Sequence, residues 1–222
     1  MLKLLHYLCH DAIVPLGIIT SLLLLILIKR IYKSEINIIL IVLCYTITEI
    51  TAGTLGFHHQ YNLWFYNLTI LPTYYLYAYL YYKNLNNERL KKSIKVASIL
   101  FTIVYFINNK YGQGETGFNT LTYIPANTFV AIIAFMYMKQ FVETRDENPF
   151  SDLLFWFSLA TVLDLTGSIP TLCTLSTIDF AKEEIVVNIN KMLAWVEYLW
   201  FIIIIIGLIW TKAKVKLPSS LS

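Results

Sequence analysis

The sequence predicts an all-α integral membrane protein, a bundle of seven transmembrane helices with its N-terminus outside and its C-terminus inside. Three observations carry that expectation. Hydrophobic residues make up 57% of the 222 and charged residues only 14%, with a mean hydropathy of +0.61, more apolar material than a water-soluble core can bury. The apolar residues come in long runs rather than in the period-2 alternation, broken by turns, that a membrane barrel needs. The basic residues collect on alternate connections, which is how orientation is written into a polytopic chain.

Seven runs reach the length of about 17–25 residues that a spanning helix requires. They fall near 11–30, 35–54, 62–82, 92–108, 120–141, 151–172 and 187–211. The first is closed by Lys29-Arg30, and no small-residue cleavage site precedes that basic stop. It therefore reads as a retained helix and not as a removed signal peptide. The second contains Thr46-Ile-Thr-Glu-Ile-Thr-Ala-Gly53, which places Glu49 in an otherwise apolar segment. The third ends in Tyr74, Tyr75, Tyr77, Tyr79, Tyr81 and Tyr82, read as an interfacial aromatic belt. The fourth is the shortest. The fifth holds Pro125 and Asn127, the sixth Asp164, and the seventh Asn190 and Glu197 ahead of the aliphatic run Phe201 to Ile206. Connections are short, so consecutive helices are expected to be neighbours in one domain spanning residues 1–222.

Thirteen basic residues fall on one side: Lys29, Arg30, Lys33, Lys83, Arg89, Lys91, Lys92, Lys95, Lys139, Arg145, Lys212, Lys214 and Lys216. Lys3, Lys110 and Lys182 fall on the other, and Lys191 heads the last helix. The positive-inside rule then sets the orientation and points to a plasma or bacterial inner membrane. Net charge of +3 is too small to imply nucleic acid. The basic inner loops, Lys83 to Lys95 above all, suit anionic lipid or a protein partner. Cys9, Cys44 and Cys173 have no C-x-x-C spacing and read as small apolar residues.

The first three helices also echo the last three. Pro15 in Ile13-Val-Pro-Leu matches Pro125 in Tyr123-Ile-Pro-Ala, and Glu49 with Thr46 and Thr51 matches Asp164 with Thr161 and Thr166. Tyr61-Asn-Leu and Val187-Asn-Ile open the third and seventh helices. Helix four is then a linker that restores parallel orientation between two repeats. This three-one-three plan is similar to the layout of the sugar-efflux (SWEET-type) and PQ-loop transporters. Their proline–glutamine pair has no counterpart, since Leu16 follows Pro15 and Ala126 follows Pro125.

At 1.5 Å per residue, Glu49, Asn67, Asn127, Asp164 and Glu197 all fall about 3–7 Å to the outer side of their helix midpoints. Asn190 precedes Glu197 by seven residues and shares its face. These six are the candidate ligand-binding residues, lining a polar cup above a sealed inner half. A carboxylate within a span costs roughly 2.5–3.5 kcal/mol on insertion scales and is by default a functional site. Lys191 is the one base near three acids. The competing role is interhelical glue, each contact worth about 0.6–2 kcal/mol.

All four histidines fall on the outer side. His6 and His10 stand four apart, and His58-His59 lies in the second outer loop. Together they form the one candidate metal cluster, a zinc site of the kind a membrane-embedded hydrolase would use. Ceramidase-type enzymes carry their H-x-x-x-H pair on the last helix, which has no histidine here. Lys191 is misplaced for a retinal Schiff base, and no nucleotide or nucleophile motif is present. No cofactor is implied and no catalytic residue stands out. The expected function is binding and proton-linked transport of a small solute. A membrane sensor or accessory subunit that binds an external ligand is the second reading, and a metal-dependent hydrolase the third.

Overall fold

The computed structural model describes residues 12–27, 36–60, 62–112, 118–175 and 183–211, with the backbone alone at 175, 183–187 and 190. Among these residues there are seven α-helices and no strand: α1 (Ile13–Ile26), α2 (Ile36–Phe57), α3 (Leu63–Asn84), α4 (Glu88–Tyr111), α5 (Thr120–Thr144), α6 (Leu153–Leu175) and α7 (Glu183–Trp210). A single 3₁₀ turn, Pro149–Ser151, leads into α6. Helices α2, α5, α6 and α7 are long and apolar enough to cross a membrane, which supports a helical membrane protein. The tyrosines of α3 and the charged first turns of α4 dilute their apolar character.

Local chemistry explains the helix ends. The fourth helix is longer than its apolar run of 92–108 because Asn87 caps it, accepting from the amides of Arg89 and Leu90, and Lys91 pairs with Glu88 at 2.8 Å. Asp152 caps α6 through the Phe155 amide (2.9 Å) and also receives the Tyr137 hydroxyl (3.3 Å) and Arg145 (3.5 Å). At the end of α2, Gln60 N donates to Leu55 O and His59 N to Gly56 O, with His59 at φ 56°. That pair of bonds is a Schellman stop, with histidine in the left-handed position that glycine usually takes.

The packing closes on itself. Helix α1 packs on α2 and α7, α2 on α3, α3 on α5, α5 on α6, and α6 on α7. Six helices thus form a ring. Helix α4 lies against α3 and α5 and leaves Ile99, Leu100, Ile103 and Phe106 exposed. Close approach of α1 depends on Gly17, where a Cβ would stand 2.8 Å from Thr46 Oγ1 on α2 and 3.3 Å from the Phe201 ring on α7. Ser21 and Thr46 share a hydrogen bond one turn further along (3.2 Å).

Across the middle of the ring lies a packed aromatic layer. Trp200 meets Tyr45 at 5.2 Å, Phe201 at 4.9 Å and Phe157 at 5.9 Å between ring centroids. Phe157 in turn stacks on Tyr77 at 5.8 Å. Tyr81 donates to Ser158 Oγ (3.1 Å), and Tyr137, Phe141 and Phe155 continue the layer toward the 3₁₀ turn. The interior of this half is filled by rings, and an open groove of about 530 Å³ lies at its edge between Asn148, Phe150, Ser151, Trp156, Ile206 and Trp210.

Candidate functional site

The opposite half is hollow. A cavity of about 390 Å³ runs from Ile13, Leu63, Phe118 and Leu172, at the end where α2 closes and α3 opens, down to Tyr45, Tyr77 and Val130 above the aromatic layer. Its size lies within the range of small-molecule sites. All six ring helices contribute to its wall.

Helical phase decides which polar groups reach it. On α3 the lining residues Tyr66, Ile70, Thr73 and Tyr77 recur at three- and four-residue steps, forming one stripe. Tyr45 and Glu49 stand one turn apart on α2, Tyr123 and Asn127 one turn apart on α5, and Asp164 and Ser168 one turn apart on α6. Helix α7 supplies Leu193, Ala194 and Glu197. Four of the six candidate residues, Glu49, Asn127, Asp164 and Glu197, therefore converge on one space from four helices.

The other two have different fates. Asn67 is one residue off the α3 stripe, so its side chain turns about 100° away. Its Oδ1 accepts from the Asn119 amide (2.9 Å), and its carbonyl accepts from the Tyr105 hydroxyl (2.9 Å). Asn108 donates to Asn119 Oδ1 and to Thr122 Oγ1 (3.0 Å) beside it, which ties α3, α4 and α5 into a polar staple. The side chain of Asn190 lies outside the described residues.

Within the cavity, the Tyr66 hydroxyl donates to Glu49 Oε2 at 3.1 Å. Asp164 is 5% exposed, and neither it nor Glu197 has a hydrogen bond or ion pair among the described residues. The described ion pairs, Glu88–Lys91, Lys139–Glu143 and Arg145–Asp152, all lie at the filled end. No lysine, arginine or histidine is among the described lining residues, and Lys191 is exposed. Among the described residues the Tyr77 hydroxyl and Asn127 Nδ2 have no hydrogen-bond partner within bonding geometry, and both atoms are wholly buried. Buried polar atoms are paired in the great majority of cases, and the other unpartnered ones among the described residues are spread through the bundle, at Tyr74 on the cavity wall and at Asn119, Thr161 and Trp200 away from it.

The tyrosine run divides in a way that composition did not suggest. Tyr75 and Tyr79 face outward, as an aromatic belt would, but Tyr74, Tyr77 and Tyr81 are buried. Tyr45, Tyr66 and Tyr123 also line the cavity and were not singled out by sequence. A usable signal existed in their three- and four-residue spacing to Glu49, Thr69 and Asn127.

Of the histidine cluster, His58 and His59 form the exposed helix stop described above, while His6 and His10 lie outside the described residues. Among the described residues no group of three or more His, Cys, Asp or Glu is placed to hold a metal ion. No protein-family model, characterised protein or solved structure matches this chain.

Proposed function

We propose that this is a seven-span membrane protein that binds a small solute in an outward-facing cavity and carries it across the bilayer. The observation that carries the reading is the convergence of Glu49, Asn127, Asp164 and Glu197 on one cavity closed beneath by packed aromatic rings. A pocket open at one end and sealed at the other is what one state of an alternating-access carrier requires. The ring contacts support the three-one-three plan: α1–α2, α2–α3 and α3–α5 have counterparts in α5–α6, α6–α7 and α7–α1. Helix α4 stands aside as the linker, and the paired acids Glu49 and Asp164 occupy matching helices. Rocking of the two three-helix halves would move the seal from one side to the other, with a cavity carboxylate exchanging a proton. The thirteen-to-three bias of basic residues supports an N-terminus outside and a C-terminus inside.

The test is uptake. Proteoliposomes containing the full chain are incubated with a defined mixture of amino acids, sugars, nucleosides and amines, and the lumen is analysed by mass spectrometry. One chemical class is expected to accumulate, and Glu49→Gln, folded normally, is expected to reduce that accumulation by about tenfold or more, the scale of a charged hydrogen bond. Unchanged uptake in Glu49→Gln would remove the cavity from the mechanism. If no class accumulates while binding persists, the transport step fails and the sensor reading takes its place.

A further inference from the structure

We infer that this chain conducts protons along the buried side of α6, between the cavity and the filled end of the bundle. The inference rests on the membrane-spanning reading but on no solute, and the activity is measured with none present.

Ser158, Thr161, Asp164, Ser168 and Thr171 follow one another at three- and four-residue steps on α6, so each stands beside the next. All five are buried, and so is Asp152, which caps the helix. At 1.5 Å per residue the row from Asp152 to Thr171 extends about 28 Å, close to the roughly 30 Å of a bilayer's hydrocarbon. Polar contacts that only join helices are local, whereas this row runs from end to end.

Helix α3 supplies oxygens between those of α6. Tyr77 and Tyr81, one turn apart, both interact with Thr161, and Tyr77 also senses the charge of Asp164. The Tyr81 hydroxyl donates to Ser158 Oγ at 3.1 Å. Oxygens from the two helices thus alternate below the cavity: Asp164, Tyr77, Thr161, Tyr81, Ser158. Beyond them the Tyr137 ring lies 6.2 Å from that of Tyr81. Its hydroxyl donates to Asp152 Oδ1 (3.3 Å), and Arg145, at the water boundary, pairs with Asp152 Oδ2 (3.5 Å).

The middle of this file departs from interhelical glue. The Tyr77 hydroxyl and Thr161 Oγ1 are wholly buried, and neither meets hydrogen-bond geometry with a partner among the described residues. A hydroxyl both donates and accepts, and it turns to suit its neighbours. Each one takes a proton on its oxygen and passes its own to the next oxygen. One proton therefore reaches Asp164 for each taken up at Asp152, and only O–H bonds are made and broken. No hydrogen bond spans the step from Tyr137 to Tyr81, so a swing of one tyrosine side chain closes it and sets the rate. Around Asp164 stand Tyr45, Tyr77 and Tyr123 from α2, α3 and α5 and Glu197 from α7. A metal cation would need a shell of several oxygens at every step, which single hydroxyls among packed rings do not supply.

The experiment places the full chain in liposomes loaded with potassium and a pH-sensitive dye, with no solute present. Valinomycin then sets a potential, negative inside, that draws protons in. Acidification is expected to outpace that of protein-free liposomes, while sodium entry, followed with a sodium dye, stays at the protein-free level. Thr161→Val, which keeps the shape and removes the hydroxyl, is expected to slow acidification by about tenfold or more, and Tyr81→Phe and Asp164→Asn likewise. Thr161→Ser keeps the hydroxyl and is expected to keep the flux. Melting temperature and size-exclusion profiles confirm that each variant is folded, and Tyr81→Phe decides the matter if Thr161→Val is not.

Acidification at the protein-free rate overturns the inference, and so does a flux unchanged in the folded Thr161→Val and Tyr81→Phe chains. Sodium entering alongside protons overturns it too, as a leak with no file of hydroxyls behind it. Solute uptake is measured separately: accumulation without proton flux sinks the inference alone, and proton flux without accumulation sinks the carrier reading alone.

Discussion

At the scale of single residues, position on the helix outweighs identity. Asn67 and Asn127 are the same side chain at similar depth, yet one is locked between Asn119 and Tyr105 while the other lines the cavity. Depth was legible in the sequence through the 1.5 Å rise, but the facing of each residue depends on which neighbours the helix acquires. His59 makes the same point at a helix end. The His-His pair, singled out in the sequence for its imidazoles, has a backbone role as well, since His59 stops α2 in the left-handed region. A non-glycine residue pays for that conformation, so His59→Gly is expected to raise stability by about 1 kcal/mol, read as a higher melting temperature in detergent. A fall in stability would mean that the imidazole itself is bonded to something that matters.

At the scale of elements, two contacts hold the hollow half together. Helix α1 reaches α2 and α7 because Gly17 has no side chain. Gly17→Leu would drive carbon atoms into Thr46 and Phe201, costing about 1–3 kcal/mol as overpacking does, and thermal unfolding of the purified chain checks it. The polar staple is the second contact. Replacing Asn119 by Ala removes the Oδ1 that accepts from the Asn108 amide and the Thr122 hydroxyl, while the backbone N–H at 119 still donates to Asn67 Oδ1, a loss of about 1–3 kcal/mol. Hydrogen exchange should then quicken in α4 while α6 and α7 stay protected, because α4 packs only on α3 and α5 among its main contacts. Uniform acceleration would mean that α4 is integral to the ring. The extent of α4 shows where periodic reading stops. Its apolar run ends near 92, but the Asn87 cap and the Glu88–Lys91 pair extend the helix into charged sequence.

At the scale of the whole molecule, the proposed orientation has a direct test. In a background with Cys9, Cys44 and Cys173 replaced by serine, His58→Cys and Asn86→Cys each place one thiol at opposite ends of the bundle, both at exposed positions. A membrane-impermeant maleimide added to intact cells is expected to label His58→Cys, and to reach Asn86→Cys only after permeabilisation. The reverse pattern would put the cavity mouth on the inner side and turn an importer's resting state into an exporter's. The asymmetry of the bundle, hollow at one end and filled with rings at the other, then acquires a direction relative to the membrane.

Composition and run length determined the helical, membrane-type class, because hydrocarbon admits only segments that satisfy their own backbone. The rarity of acids in apolar runs was enough to pick out Glu49, Asp164 and Glu197, since such charges are costly wherever the helix ends up. What tertiary structure alone decided is which of the polar residues share a space. Convergence depends on the order of helices around the ring and on the rotation of each about its axis. Both are settled by contacts as distant in sequence as Gly17 with Phe201 and Tyr45 with Trp200. That is why the acids were visible in the sequence, and the tyrosines that stand between them were not.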